Sequence, residues 1–351
     1  METDPIAEAE ALIASGRAAD AARALRARLD AGRGGLLARL ILVKALLASG
    51  DADGALLEAR EVSALNPSVA VAAAALGEAL LARGALPAAI AELQRALRLD
   101  PGLEEARFLT GRAWLEAGEA DKALEIFEAL EKTPDVTAHS ERARAIKAAP
   151  RSDAGYVRHL FDQFSSDYDV RMIGQLAYAA PQILRDLADL VMPGRNGLTI
   201  LDLGCGTGLA GMAFQDKAAR LDGIDLSPAM IEKARARGIY DRLAVGDIET
   251  VSDGPYDLIL AADTLVYLGD LKPVFRNAAV SLAPDGYFLF TTEAAGAGFE
   301  LGPKRRWRHS ESYLRETAQS AGLTVAGLVA ASPRIEAHQA VAGFAVALTL
   351  S

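Results

Sequence analysis

LDLGCGTGLAG, residues 201–211, carries glycines at 204, 206, 208 and 211. Counted from Gly206 the spacing is G-x-G-x-x-G, and Asp225 follows at about the distance of a ribose-binding acid, which together read as a dinucleotide loop. Asp202, however, stands just before the loop, where a pyrophosphate would have to approach. The glycines define a loop that passes close to a ligand, and the residues around it decide which ligand.

Outward from the loop, periodicity alternates. LTILDL (198–203), RLDGIDL (220–226), DRLAVGD (241–247), YDLILAAD (256–263) and GYFLFTTE (286–293) read as strands. Helical patterns lie between them, as in PAMIEKARARG and LKPVFRNAAVSLA. LTVAGLVAA and VAGFAVALTL follow a helix near 310–321 and complete a seven-stranded set. Strand and helix in alternation predict an α/β doubly wound, mostly parallel sheet. Such sheets bind ligands at the carboxyl ends of their strands, where this loop lies.

Acids crowd those ends. Asp202, Asp225, Asp247 and Asp263 close the first four strands and Glu293 the fifth. A like-charge contact at about 4 Å costs roughly 4 kcal/mol at an effective dielectric near 20. No Lys or Arg sits in the loop to offset a phosphate, and the G-K-[ST] ending of a P-loop is missing. A ligand with hydroxyls, amines and positive charge suits this rim, and S-adenosylmethionine is one.

The sequence here resembles the class I, Rossmann-like S-adenosylmethionine-dependent methyltransferases. The likeness runs through LDLGCGTG, LDGIDLSPAMIEKARARG, AVGDIE, YDLILAADTLVYLGDL and LAPDGYFLFTTE, over most of residues 156–351. It implies that Gly204, Gly206 and Gly208 let the backbone pass under the cofactor. Asp202 lies near its amino group, Asp225 and Leu226 at the ribose, and Asp247 at the adenine amine. Met230 and Ile248 flank the ring, and Ala262 or Asp263 faces the methyl donor. A cap or turn role is the plain alternative for each acid. Cys205, between two glycines, reads as a packed small side chain rather than a nucleophile.

In YVRHLFDQFSSDYDVRMIGQLAY (156–178), helical spacing brings Tyr156, Leu160, Phe164 and Tyr168 together. The resemblance implies a lid over the cofactor carrying Phe164 and Tyr168, within lid helices 156–190; packing is the alternative. Candidate bases are His309, Glu293, Tyr267 and His159. His309 leads on its pKa range; the alternative is a packed histidine beside Ser310, which reads as an N-cap. Lys304, Arg305, Arg306 and Arg308 form a basic run that suits an anionic acceptor or a solvated loop. No metal-ligand cluster is present, and AADT stands where Asn-Pro-Pro-Tyr marks amino-methylating enzymes.

The first 135 residues repeat. Gly16, Gly50, Gly84 and Gly118 stand 34 residues apart, and Ala21, Ala55, Ala89 and Ala123 follow at a fixed offset. Pro67 and Pro101 share the period, placed at helix starts, with Pro134 one residue early. Gly77 and Gly111 occupy the small-residue position. This is the tetratricopeptide (TPR) period, an all-α solenoid, with a degraded first unit bearing Arg33 in place of proline. Its concave face maps to Leu37, Leu40, Lys44, Leu47, Glu78, Leu81, Phe108, Arg112 and Leu115. That face either packs on the chain's own next helix or a second copy, or docks a partner or protein substrate.

The expected organisation is therefore a repeat domain (1–135), a polar linker (136–155) and a methyltransferase domain (156–351). With FDQFSSDYD, AADTLVYLGDL and RHSESYL, the chain resembles bacterial predicted TPR-containing methyltransferases. Net charge is −10, which disfavours nucleic acid or an anionic membrane as the main partner. The acidic start is unlike a signal peptide, and VAVAAAALGEALLARGALPAAIA is broken by Glu78 and Arg83, so the expected location is cytoplasmic. The expected activity is methyl transfer from S-adenosylmethionine, with S-adenosylhomocysteine as product, to a small molecule. The alternatives are transfer to a protein recruited by the repeats, and a non-catalytic scaffold.

Overall fold

In the computed structural model, which describes residues 4–251, 253–302, 305–336 and 338–351, the period is written in backbone angles. Gly16, Gly50, Gly84 and Gly118 take φ of 78°, 82°, 71° and 73°, a left-handed conformation that costs glycine little. Each closes a helix the same way: Gly84 N–H donates to Leu81 O at 2.9 Å and Ala85 N–H to Leu80 O at 2.9 Å, and the other three turns repeat the pattern. The chain divides into two units, residues 1–148 and 149–351.

In the first unit the helices are α1 (Pro5–Ala14), α2 (Ala18–Asp30), α3 (Leu36–Ala48), α4 (Ala52–Leu65), α5 (Ala70–Ala82), α6 (Leu86–Leu99), α7 (Glu104–Glu116), α8 (Ala120–Glu128) and α9 (Pro134–Ala148). Ala21, Ala55, Ala89 and Ala123 are fully buried. A Cβ at Gly111 would lie 2.5 Å from the Phe127 ring, and one at Gly77 would lie 2.6 Å from Leu93 Cγ. The small residues are thus where α7 meets α8 and α5 meets α6.

Three expectations need correction. The segment expected as linker is largely helix: α9 buries Val136 and Ala143 against Leu124, Phe127 and Leu130, so it closes the end of the array. Pro67 and Pro101 sit in turns three residues ahead of α5 and α7 rather than at helix starts. Leu81 and Leu115 are buried between helices instead of facing the groove. Leu37, Leu40, Lys44 and Glu78 do line the groove, joined by Glu105, which pairs with Lys44 at 2.8 Å.

The second unit begins with α10 (Ala154–Phe164), a π-helical turn (Val170–Gln175) and α11 (Ala180–Val191). Next come β1 (Leu198–Leu203), α12 (Leu209–Phe214), β2 (Ala218–Asp225), α13 (Pro228–Ala236), β3 (Arg242–Val245) and β4 (Tyr256–Ala261). Then follow α14 (Lys272–Ser281), β5 (Leu282–Ala294), β6 (Phe299–Leu301), β7 (Trp307–His309), α15 (Glu311–Ser320) and β8 (Leu323–Ala331). A small β9 (Ile335–Glu336)–β10 (Gln339–Ala340) pair precedes β11 (Gly343–Leu350). The main sheet runs β3-β2-β1-β4-β5-β11-β8, with the first five strands parallel and β11 antiparallel to both neighbours. These are the seven expected strands in a mostly parallel sheet, with the short β6–β7 hairpin added beside β5.

Alternation along the strands sends side chains to two cores. Leu258, Leu260 and Leu289 pack with α11 and Phe214 on one face. Ile259, Phe288 and Phe290 pack with Phe275 of α14 and Leu314 of α15 on the other. Strand order reverses between β1 and β4, so a crevice opens at their carboxyl ends.

Candidate functional site

The crevice is a cleft of about 630 Å³, part of it open solvent. Its floor is the loop after β1. Gly204 is left-handed at φ 67°, and a Cβ there would fall 2.4 Å from Thr264 Cγ2 of the loop after β4. Only glycine lets these two loops touch. Gly204 and Gly206 line the cleft, whereas Gly208 lies off its wall at the start of α12.

At the end of β2, Asp225 is held by two backbone donors, Gly206 N at 2.9 Å and Ser227 N at 2.8 Å. Burial raises its pKa against these bonds, and Asp162 adds to the rise. Asp225 and Leu226 line the cleft; Met230 is fully buried in α13 behind them. Asp202 is also fully buried, behind the loop, and accepts from Tyr240 Oη at 2.7 Å. Burial pushes its pKa up to about 7, while Tyr240 and the Gly211 backbone pull it down. Cys205 is buried and its thiol is likewise pushed up by burial.

Asp247 and Ile248 follow β3 and line the cleft. The Asp247 carboxylate accepts from Glu249 N at 3.0 Å and from Arg151 Nη2 at 2.8 Å. Ala262 and Asp263 follow β4 on the same wall. Asp263 has a left-handed φ of 56°, and its carboxylate meets Arg334 Nη1 at 2.5 Å. Arg334 is fully buried and also binds Glu293 and, at 2.7 Å, Glu336. Burial raises the Asp263 pKa, with Arg334 and Arg306 opposing it.

The lid segment forms an aromatic wall, with a change of residue. Tyr168 lines the cleft, but the α10 ring beside it is Phe161, not Phe164. Phe161 meets Tyr168 and Tyr267 edge-on, at 6.1 and 5.5 Å between centroids. Phe164 instead lies under the Arg171 guanidinium at 4.4 Å. Two acids pin the segment down: Asp162 accepts from Ser227 Oγ at 2.5 Å, and Asp169 from Thr207 Oγ1 at 2.5 Å.

Of the candidate bases, only Tyr267 reaches the cleft. His309 is fully buried, 2.6 Å from Thr292 Oγ1 and 3.1 Å from Gly269 O, and is stacked on Tyr313. Burial lowers its pKa to about 4, so it is a packed, neutral histidine, and Ser310 caps α15 as its alternative reading had it. Glu293 is buried and committed to Arg334 and Arg308. His159 is half-buried and pairs with Gln163 Nε2 at 2.8 Å. Arg308 of the basic run pairs with Glu293 and Arg306 faces Glu336 at 3.3 Å; Lys304 lies outside the described residues. Arg151, Ser152, Val157, Phe161, Thr264 and Leu268 are lining residues that sequence reading missed. Arg151 is the one cation among the described lining residues. No cluster among the described residues is built to hold a metal ion, and no helix of theirs is long and apolar enough to cross a membrane.

Residues 172–326 match the family model described as a methyltransferase domain, and residues 42–104 and 80–149 match two tetratricopeptide repeat models. The chain therefore joins a tetratricopeptide repeat array to a methyltransferase domain of the class I, Rossmann-like fold. Among curated proteins it is 31% identical over 129 residues to malonyl-[acyl-carrier protein] O-methyltransferase of Serratia marcescens, covering 35% of this chain and 51% of that protein. It is 34% identical over 138 residues to methyltransferase-like protein 27 of Homo sapiens, covering 38% and 54%. The chain thus spans about half the length of these relatives. A solved structure of magnesium protoporphyrin IX methyltransferase from Synechocystis PCC 6803 with bound SAH aligns at TM-score 0.47 and 18% identity, over 57% of this chain and 100% of that one.

Proposed function

We propose that the cleft binds S-adenosylmethionine and that the protein transfers its methyl group to a small-molecule acceptor in the cytoplasm. One observation carries the reading. Asp225, Asp247 and Asp263 ring a glycine-floored cleft at the switch point; Arg151 is the one cation among its described lining residues, with Arg334 paired to Asp263 from behind the wall. That charge pattern suits a sulfonium and an ammonium and repels a pyrophosphate. In this reading Asp225 takes the ribose hydroxyls, Asp247 the adenine amine, and Ile248 a face of the ring. Met230 and Asp202 shape the site from behind, and Tyr168 with Phe161 covers it. The curated relative named as an O-methyltransferase supports methyl transfer here.

When bound, the cofactor supplies a methyl group whose departure leaves a neutral thioether. The protein's own work is then alignment and exclusion of water, worth about 7–11 kcal/mol where geometry is favourable. Tyr168 and Tyr267 have pKa values pushed up by burial, which makes them hydrogen-bonding groups rather than bases. Asp263 is tied to Arg334, and His309 does not reach the cleft. The acceptor atom therefore enters already nucleophilic, without losing a proton to this wall. The groove on the repeat unit favours a second reading, a protein acceptor recruited there. A labelled methyl-donor assay on a cell extract, separated into small molecules and proteins, tests both. Label in the small-molecule fraction supports the first reading, label in protein the second, and label in neither refutes both.

A further inference from the structure

The acid assigned to the adenine does not stand alone. Residues 150–152 run as a strap beside the loop after β4. Pro150 O accepts from Gly269 N at 2.8 Å and Asp270 N at 2.9 Å, and Ser152 N donates to Tyr267 O at 2.8 Å. Arg151 forms an antiparallel bridge with Leu268. The fit is close: a Cβ at Gly269 would lie 2.7 Å from both Pro150 O and the Trp307 ring.

From this strap the Arg151 side chain reaches Asp247 at 2.8 Å and also binds Glu249. With Glu249 N–H on its other oxygen, the Asp247 carboxylate is fixed in direction. Arg151, Ser152, Leu268, Asp247 and Ile248 share one stretch of the cleft wall. A carboxylate oxygen accepts more than one hydrogen bond, so Asp247 keeps a lone pair for a donor in the cleft. Its selectivity for that donor depends on holding still, because a freely turning carboxylate can turn away from a mismatched base. The guanidinium also offsets the repulsion between Asp247 and Glu249.

We propose that Arg151 is a positioning residue for base recognition: acting through Asp247, it makes the cleft select a 6-amino purine over a 6-oxo purine. The strap 150–152 is then part of the nucleoside wall rather than of a linker. This rests on the cofactor reading above.

The test uses the full chain and two probes, S-adenosylhomocysteine and S-inosylhomocysteine, in which the adenine amine is replaced by an acceptor oxygen. Wild type is expected to prefer the adenosyl probe by on the order of tenfold or more. Arg151→Ala should bring the ratio close to one, chiefly by weakening the adenosyl probe. Arg151→Lys should restore part of it. Gly269→Ala, which crowds Pro150 O and the Trp307 ring and replaces no lining residue, should lower it as Arg151→Ala does, and serves if that variant fails to fold. Wild-type binding without selectivity, or selectivity unchanged in Arg151→Ala and Gly269→Ala, would overturn the proposal alone. No binding of either probe by wild type would overturn the cofactor reading, and the proposal with it.

Discussion

Replacing Asp202 with asparagine should flatten the response of the methyltransferase domain's stability to pH. Asp202 is fully buried, and its pKa is raised from 3.8 to about 7 by that burial. A raised acid binds its proton more tightly in the folded state than in the unfolded chain. Its contribution to stability is therefore fully present below about pH 4, shrinks as pH rises, and is gone above about pH 7. The difference between 3.8 and about 7 corresponds to about 4 kcal/mol over the whole range. Asparagine can still accept from Tyr240 and does not titrate. The sequence has two tryptophans, Trp114 in the repeat unit and Trp307 in the second unit. In a Trp114→Phe background, urea unfolding followed by Trp307 fluorescence therefore reports the second unit alone. From pH 4.5 to 7.5 the variant should lose about 3 kcal/mol less than the parent. Equal losses in both proteins would refute the assignment of Asp202 as a buried, protonated acid.

Gly111→Leu places its side chain in the Phe127 ring, where even a Cβ would be 2.5 Å away. It should destabilise the repeat unit by about 1–3 kcal/mol, measured by circular dichroism against urea, and an unchanged midpoint contradicts the packing. Asp162→Ala removes the 2.5 Å bond to Ser227 Oγ and should speed release of S-adenosylhomocysteine by roughly tenfold in stopped-flow; an unchanged off-rate would count against the lid. His309→Asn should lower stability yet leave the pH profile of turnover where it was. Because the His309 pKa is lowered to about 4, wild type keeps this contribution above pH 6.5 and loses it as pH falls toward 4. A profile that moves in the variant would return His309 to the chemistry.

The features readable from sequence were the local ones. Strand β1 begins and ends where LTILDL does, because an apolar run between a turn and a glycine loop is set by its own residues. The repeat glycines were visible because one backbone angle recurs every 34 residues. Strand-end acids were readable because parallel strands present their last residues to one crevice. What escaped depends on distance along the chain. Arg151 meets Asp247 across 96 residues, and no local pattern marks it. His309 meets Gly269 O across 40 residues, and its burial follows from that packing. Helical spacing brings Phe164 to Tyr168 only if one α-helix runs unbroken through both. Helix α10 stops at Phe164 and residues 165–167 turn before Tyr168, which meets Phe161 instead.

The glycine spacing at 204–211 left two ligands open, and calorimetry on the full chain decides between them. The cleft described here should bind S-adenosylhomocysteine at one site per chain, lose that binding in Asp225→Ala, and give no heat with NAD. Binding of NAD, or no binding of S-adenosylhomocysteine, would contradict the central claim that acids, not phosphate donors, define this site.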